Sequence, residues 1–164
     1  MSHIVFGIFS VSEFNQIDLL KQQLNSIGII LHINDFDFYK DIDVMLNENN
    51  AIDAIRFCLT TQTQPCNSED LLIPSFDSND DNLCCKTDNR TEFNQMCLNN
   101  LNVLKHALNF IINNSYVSNV KVFITEGYDD DFDLKECTID DMIKDIYLQV
   151  INHLSVDSTI YTVK

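Results

Sequence analysis

In two stretches of the sequence, acidic and amide side chains have the spacing that calcium-binding loops have. Residues 77–81 and 129–133 each place three Asp or Asn side chains at alternate positions. An EF-hand loop continues with Gly at its sixth position, for a sharp turn, and with a bidentate Glu at its twelfth. The second stretch has Leu134 and Asp140 at these positions, and the first has Asn and Asp. Both stretches therefore predict no specific Ca²⁺ site.

The cysteines lack the spacing of a zinc site, which usually pairs its ligands two to four residues apart. They are Cys58, Cys66, Cys84, Cys85, Cys97 and Cys137. The four histidines are scattered. Since the N terminus has no signal-like run, we expect reduced thiols and a cytoplasmic protein. The sequence thus predicts no metal site and no cofactor.

Catalytic signatures are also missing. The chain contains no G-x-S-x-G, P-loop or G-x-G-x-x-G motif, and its glycines are Gly7, Gly28 and Gly127. A loop that cradles phosphate needs several neighbouring glycines. We therefore predict that the protein is not an enzyme. A metal-dependent or thiol-dependent active site stays open as a third interpretation, because its residues would meet only in the folded chain.

The charge of the chain excludes two classes of partner. Its 164 residues carry 25 acidic and 10 basic side chains, which gives a net charge of −15. Binding to nucleic acid or to an anionic membrane surface requires clusters of Lys and Arg, and the sequence has none. Hydrophobic residues make up 45% of the chain, enough for a core, and no apolar run is long enough to cross a membrane.

The acidic side chains are concentrated in three windows. Residues 34–53 hold six acids and one base, residues 67–90 six acids and two bases, and residues 126–145 nine acids and two bases. A negative face of this kind steers and orients a basic partner. The alternative is a solvated surface without a partner. The acidic candidates for partner binding are Asp35, Asp37, Asp41, Asp43, Asp77, Asp80, Asp81, Glu126, Asp129, Asp130, Asp131 and Asp133.

The first part of the chain alternates between strand and helix patterns. The apolar run 4–9 predicts a buried strand. Ser12 is in position to cap a helix over 13–26. The apolar stripe of this helix consists of Phe14, Ile17, Leu20, Leu24 and Ile27. A second buried strand is predicted over 29–33.

The next part is less regular. Period-2 alternation predicts a third strand over 35–46, with a short helix as the alternative, and a fourth strand over 52–61. Residues 62–90 contain both prolines, Pro65 and Pro74, among many Asp, Asn and Ser residues. We interpret 62–90 as a long excursion with little regular structure.

The strongest helix pattern covers 91–114 and opens at Thr91. Its stripe consists of Phe93, Cys97, Leu101, Leu104, Leu108 and Ile111. Further apolar positions widen the stripe, namely Met96, Val103, Ala107 and Phe110. A stripe of this width is typical of a helix packed into a core.

Four elements are predicted near the C terminus. A strand over 120–124 is followed by residues 132–136, which can return as the second arm of a hairpin. Thr138 and Asp141 have the spacing of a capping box and start a helix over 138–154. A terminal strand is predicted over 159–163. The buried stripe of the helix consists of Ile139, Ile143, Ile146, Val150 and Leu154.

Together these patterns predict an α+β fold in a single domain over 1–164. The predicted order is β-α-β-β-β-loop-α-β-β-α, with a mixed sheet of about five to six strands packed against three main helices.

The segment Val120–Phe132, followed by a helix, resembles the ending of a known class of proteins. Bacterial immunity proteins of contact-dependent growth inhibition, and of related polymorphic toxin systems, end in a similar strand, turn and helix. The small size, the acidity and the lack of a catalytic motif are also similar to that class.

The resemblance implies a one-to-one inhibitor of a cognate toxin nuclease, with a ribonuclease as the first expectation. Asp and Glu side chains would pair with the Lys and Arg that normally hold phosphates. Tyr39 and Tyr128 would serve as aromatic anchors, whereas Phe132 is predicted to be buried. The alternative is an acidic adaptor or inhibitor of another basic protein.

Overall fold

A computed structural model gives the fold and describes residues 4–33, 54–61, 75–76, 86–87, 89–125, 132–153 and 156–164. The strands are β1 Ile4–Val11, β2 Ile29–Ile33, β3 Ala54–Thr61, β4 Ser75–Phe76, β5 Lys86–Thr87, β6 Val117–Thr125, β7 Asp133–Cys137 and β8 Thr159–Val163. The helices are α1 Ile17–Ser26, α2 Arg90–Ile112 and α3 Ile139–His153, and a 3-10 turn, Phe14–Gln16, precedes α1.

Six of these strands form one mixed sheet in the order β2-β3-β1-β6-β8-β7. Every neighbouring pair is antiparallel except β7 and β8, which run parallel. The sheet and the three helices confirm the predicted α+β single domain and its order of elements. The predicted third strand at 35–46 lies outside the described residues, as do positions 52 and 53 of the fourth.

The predicted hairpin between β6 and the following strand is wrong. β8 lies beside β6, and β7 lies beyond β8 at the edge of the sheet. The burial of the two strands explains this order, because four of the five residues of β8 are buried, whereas Leu134 of β7 is 77% exposed. The more apolar strand takes the interior position, and α3 forms the crossover that parallel pairing requires.

Three helices pack on one face of the sheet. The apolar stripe of α2 is buried along its whole length, as predicted, from Phe93 to Ile111. α1 contributes Ile17, Leu20 and Leu24 to the same core. α3 adds a stripe that differs from the prediction at one position, since Met142 is fully buried and Ile143 is only partly buried. The predicted Leu154 lies outside the described residues.

The start of α1 differs from the prediction. Ser12 does not cap the helix; its hydroxyl donates to the carbonyl of Tyr116 at 3.4 Å. The 3-10 turn intervenes, and the α-helix begins at Ile17 without a side-chain cap. Because the turn shifts the spacing, Phe14 is 69% exposed rather than buried. Ile27 follows the last residue of α1 and is 37% exposed.

α2 and α3 both begin at a side-chain cap. Asn89, rather than Thr91, caps α2, and its side-chain oxygen accepts from the backbone N–H groups of Thr91 and Glu92. The predicted box at α3 is confirmed in its first half, the Thr138 cap, while the Asp141 carboxylate accepts from the Thr138 hydroxyl. The Asp141 N–H donates to the Thr138 hydroxyl at 3.2 Å, and this hydroxyl donates to the Asp141 carboxylate at 2.8 Å. Such caps satisfy the free N–H groups of the first turn.

The other face of the sheet holds a second, smaller cluster. Its buried residues are Phe6, Ile8, Phe123 and Ile160, with the rings of Phe6 and Phe123 stacked at 5.1 Å. Phe132, which was predicted to be buried, packs against this cluster and is partly buried. The central strand needs glycine at position 7, because a Cβ there would lie 2.3 Å from the carbonyl oxygen of Lys121.

The excursion predicted over 62–90 is described only in part. β4 and β5 pair in parallel within it, so it contains a short two-stranded ladder. Its last residue, Arg90, is the first residue of α2.

Candidate functional site

Most of the candidate binding residues lie outside the described part of the chain. These are Asp35, Asp37, Tyr39, Asp41, Asp43, Asp77, Asp80, Asp81, Glu126, Tyr128, Asp129, Asp130 and Asp131. The remaining candidate, Asp133, is the first residue of β7, and its side chain is exposed. A site that brings these residues together thus stays a prediction.

The charge divides sharply between the two parts of the chain. The described residues carry nine acidic and nine basic side chains, so their formal charges cancel. The other residues carry sixteen acids and one base, Lys40. The whole net charge of −15 therefore belongs to the segments between the described elements.

The acidic segment 34–53 is attached to one end of the sheet. It follows Ile33 of β2 and precedes Ala54 of β3, which pairs with Ser10 of β1. Near this position β1 ends at Val11, opposite the start of β6. We call this end, where Val11 of β1 pairs with Val117 of β6, the second end of the sheet, and the opposite end the first.

The other two acidic segments are joined to the opposite, first end. There Thr125, the last residue of β6, pairs with Ile4, the first residue of β1. Segment 126–131 connects Thr125 to the start of β7. The excursion begins after Thr61, which is the last residue of β3 and lies at the same end. The three acidic windows are thus attached at both ends of the sheet rather than at one.

Asp145 on α3 is the centre of a hydrogen-bonded cluster that we call the Asp145 corner. Its Oδ2 accepts from Lys135 Nζ at 2.7 Å, from Tyr161 Oη at 2.8 Å and from Gln149 Nε2 at 3.2 Å. Lys135 lies on β7 and Tyr161 on β8, so the carboxylate joins α3 to the only parallel strand pair of the described sheet. Gln149 in turn accepts from the Asp157 N–H before β8.

The Asp145 corner shifts the pKa values of its own groups. Partial burial alone would raise the pKa of Asp145, but the hydrogen bonds from Lys135 and Tyr161 outweigh it, and this pKa lies below its usual value. Burial, together with the bond to Asp145, raises the pKa of Tyr161. Asp145 is thus ionised and Tyr161 is protonated at neutral pH. This is the arrangement expected of a structural link.

Other acids of the window 126–145 also serve the fold. Glu136 pairs with Lys164 at 2.5 Å, and this hydrogen bond lowers the pKa of Glu136. Asp140 pairs with Lys105 of α2 at 2.5 Å. With Asp145 paired and Asp141 used in the cap of α3, four of the five described acids of this window already have partners.

A cleft lies between α1, the C-terminal half of α2 and the turn that leads to β6. Its volume is about 550 Å³, which is within the range of ligand sites. It is lined by Leu19, Gln23, His106, Asn109, Phe110, Asn113, Asn114, Ser115 and Tyr116. Apart from His106, which is neutral in the formal count, these described lining residues have no ionisable acid or base near pH 7. We call this feature the α1–α2 cleft.

The cleft combines amide groups with exposed apolar side chains. Leu19 is 46% exposed and Phe110 is 37% exposed. Asn109 donates from its side-chain nitrogen to the Lys105 carbonyl at 2.9 Å, which fixes the orientation of its amide. Tyr116 is held at the second end of the sheet, because its carbonyl accepts from the Ser12 N–H at 2.9 Å.

Sequence reasoning missed this cleft. It assigned Phe110 to the buried stripe of α2, whereas Phe110 and Val103 lie on the exposed side of the helix. The signal that could have found it is the group of amide residues Asn109, Asn113 and Asn114 around the C-terminal end of α2, which is Ile112.

The described residues give no metal site. Among them, no group of three or more His, Cys, Asp or Glu side chains is placed to hold an ion. His106 lines the cleft and is exposed, and His32 lies 2.8 Å from the Thr60 hydroxyl.

Two of the described thiols are poor nucleophiles. Cys97 is fully buried, and burial raises its pKa to about 12. Burial also raises the pKa of Cys137, and the nearby charges of Asp141 and Asp145 add to the effect. Both thiols are therefore protonated at neutral pH.

Comparisons with protein-family models, with curated proteins and with solved structures gave no match to this chain. In the described part of the chain, no helix is long and apolar enough to cross a membrane.

Proposed function

We propose that this chain is an immunity protein that binds one copy of a cognate toxin nuclease and neutralises it in the cytoplasm. The observation that carries the proposal is the division of charge. The described fold is formally neutral, and the net charge of −15 belongs entirely to the segments between its elements. Connecting segments on a rigid scaffold are where binding residues are concentrated.

A basic cleft that binds nucleic acid is the partner that best fits such segments. Carboxylates can take the place of phosphates, because Lys and Arg form charge-assisted hydrogen bonds with both. Opposite charges also accelerate the encounter of two proteins. A protein that occupied the cleft in this way would exclude the substrate of the toxin.

The ion pairs within the described fold refine the set of binding residues. Glu136, Asp140 and Asp145 already pair with lysines of this chain, so a partner would have to displace those contacts. The proposed binding residues are therefore the candidates of segments 34–53, 77–81 and 126–131, together with the exposed Asp133.

The proposal is tested with the toxin domain encoded by the neighbouring gene, a ribonuclease being the first activity to assay. The purified protein should abolish the activity of the toxin at a one-to-one ratio, and the association rate should fall as salt is added. If no complex forms even at low salt, the proposal is wrong. A complex with an unrelated basic protein instead would favour the acidic adaptor.

A matched pair of variants tests whether the acids of segment 126–131 bind the toxin. Changing Asp129, Asp130 and Asp131 together to Asn should slow association about tenfold at low salt. The control changes Glu136 to Gln and Asp140 and Asp141 to Asn. Both variants lose three negative charges, but the control acids already have partners, so its association should slow much less. Equal slowing would show that only the total charge matters.

A further inference from the structure

The strand β7 is the more accessible of the two edges of the described sheet. β2 and β7 form these edges. None of the five residues of β2 is exposed, whereas Asp133, Leu134 and Glu136 of β7 are exposed. Leu134 is 77% exposed, the highest value among the large hydrophobic side chains that the structure describes. A partner can therefore reach the β7 edge.

The backbone of β7 directs part of its hydrogen-bonding groups away from the sheet. The Asp133 N–H donates at 3.0 Å to the carbonyl of Ser158, just before β8. The carbonyl of Cys137, four residues later, accepts a bond on the same side. Because these directions alternate along a strand, the N–H and carbonyl groups of Leu134 and Glu136 point outward. An outward row of this kind is a template for another strand.

A row of apolar side chains crosses the sheet, on the face opposite the helices, and ends at Leu134. Leu134 lies opposite Ile160, Ile160 opposite Phe123, and Phe123 opposite Phe6. Residues that lie directly opposite each other in a sheet share a face. Phe6, Phe123 and Ile160 are buried in the smaller cluster. The row therefore ends in an exposed leucine at the edge of the sheet.

The helix side of the same edge also carries an exposed leucine. Leu148 is 43% exposed and stands on α3 three residues after Asp145, so the two share one side of the helix. Asp145 is bonded to Lys135 of β7, which places this side of α3 over the edge strand. Each face of the β7 edge thus has one exposed leucine.

The sequence of β7 is complementary to itself. Two copies of a strand that pair antiparallel about a two-fold axis make each contact twice. With Leu134 opposite Leu134 of the second copy, Asp133 lies opposite Lys135 of the second copy, and this ion pair forms on both sides of the axis. Moving the axis by one residue would set two Lys135 or two Asp133 side chains opposite each other, and like charges there are destabilising. Charge therefore favours a single register.

The Asp145 corner leaves Lys135 able to make this contact. Lys135 Nζ donates to Asp145 at 2.7 Å, and an ammonium group has three N–H donors. The side chain of Lys135 is 37% exposed, and Asp133 is exposed. A carboxylate of a second copy can thus approach Lys135 without displacing Asp145.

We propose that β7 pairs with β7 of a second copy of this chain, which joins two sheets into one across a two-fold axis at Leu134. The inference is independent of the proposed function, because it concerns the protein without its toxin. Asp133 is also among the proposed toxin-binding residues, so a toxin that used it would compete with the second copy for this strand.

The dimer should respond to salt in the opposite way to the toxin complex. Each copy carries a net charge of −15, so two copies repel each other at long range. Salt screens this repulsion, and the dimer should therefore tighten as salt is added. Sedimentation velocity over a series of protein and salt concentrations measures its dissociation constant.

The decisive variant is Leu134→Lys, with Leu19→Lys as its control. Leu19 is also an exposed leucine, but it stands on α1, which contacts β2 at the other edge of the sheet. Both variants lower the net negative charge equally, so general repulsion weakens alike in both. We expect Leu134→Lys to raise the dissociation constant of the dimer about tenfold or more, and Leu19→Lys to change it less than about twofold.

A second variant, Asp133→Lys, tests the register. It sets a lysine opposite Lys135 of the second copy, so the dimer should weaken although the overall repulsion falls. A tighter dimer in this variant would overturn the pairing about Leu134.

The other outcomes also decide the matter. A wild-type chain that stays monomeric at high salt, or equal effects of Leu134→Lys and Leu19→Lys, would overturn the inference. A monomeric chain whose toxin complex is weakened by Leu134→Lys would assign the edge to a strand of the toxin instead. Since the dimer is measured without toxin, its absence would leave the proposed function intact.

Discussion

The Asp145 corner and the α1–α2 cleft use polar side chains in opposite ways. In the corner, the Asp145 carboxylate accepts hydrogen bonds from Lys135, Tyr161 and Gln149, so its negative charge already has partners within the fold. In the cleft, amide side chains line a concave surface that contains no acid among its described residues. The bonds of the corner to β7 and β8 join separate elements, whereas those of the cleft amides are local, from Asn109 to the Lys105 carbonyl and from the Tyr116 N–H to Asn114.

The difference shows why an acidic window is not the same as an acidic binding face. The window 126–145 holds nine acids and two bases, yet most of its described acids cap a helix or pair with lysines. Ion pairs of this kind join elements that are distant in sequence, as Lys105 and Asp140 join α2 to α3. Charge available to a partner is what remains after these internal pairs are formed.

The largest expected effect comes from removing the centre of the Asp145 corner. Asp145→Ala leaves the hydroxyl of the buried Tyr161 without its acceptor, and such an orphaned group costs about 2 kcal/mol. Urea unfolding of the variant should show this loss in the free energy of unfolding. Glu136→Gln is the control, because its pair with Lys164 is exposed at both side chains and should not contribute measurably.

A double variant sharpens the assignment. In Tyr161→Phe, the hydroxyl that needs an acceptor is gone, so Asp145→Ala should cost less in this background than in the wild type. Equal costs in both backgrounds would show that the hydroxyl is not the reason for the loss.

The pH dependence of stability gives a smaller effect from the same corner. Since the folded pKa of Asp145 lies below its usual value, its contribution is present above the pKa of an unfolded Asp, about 3.9. It is lost as the pH falls through the lower folded pKa. Asp145→Asn should therefore lose less stability than the wild type on acidification below about pH 4. If the free energies of unfolding of Asp145→Asn and of the wild type, measured with urea, fell equally on acidification, this role of Asp145 would be contradicted.

Much of the fold could be predicted because its core elements carry local patterns. In the stripe of α2, and in the cap formed by Thr138 and Asp141, the residues that define the feature are three or four positions apart, so spacing alone identifies each feature. β8 was recognisable in the same way, as a short run of β-branched and aromatic residues. Such signals depend on no partner outside the element.

The pairing of β7 could not be predicted from local spacing. Two short strands separated by a turn, such as β6 and β7, have the pattern of a hairpin. The strand that pairs with β7 instead is β8, which lies more than twenty residues further along the chain. The order is decided by the relative burial of β7 and β8, which is a property of the whole sheet. The start of α1 was wrong for a related reason, since Ser12 bonds to Tyr116, a residue distant in sequence.

The candidate sites also differ in whether local sequence patterns reveal them. The acidic segments could be found by counting charges along the chain. The sequence did not show which of the described acids are already paired. The α1–α2 cleft was invisible, because it depends on which side of α2 is left uncovered by α1. Phe110 has helical spacing with buried residues, and only the packing shows that it is partly exposed.

The smallest expected effect concerns the stability role of the cleft. Leu19 is 46% exposed, so Leu19→Ala removes only part of the burial energy of a leucine, about 1 kcal/mol or less. The high helix propensity of alanine offsets some of this loss. Thermal unfolding of the protein should therefore change little. A loss of more than about 2 kcal/mol, the level of a core truncation, would instead make Leu19 a part of the core. The cleft would then resemble the Asp145 corner, as a region that serves the fold, and the contrast between the two regions would disappear.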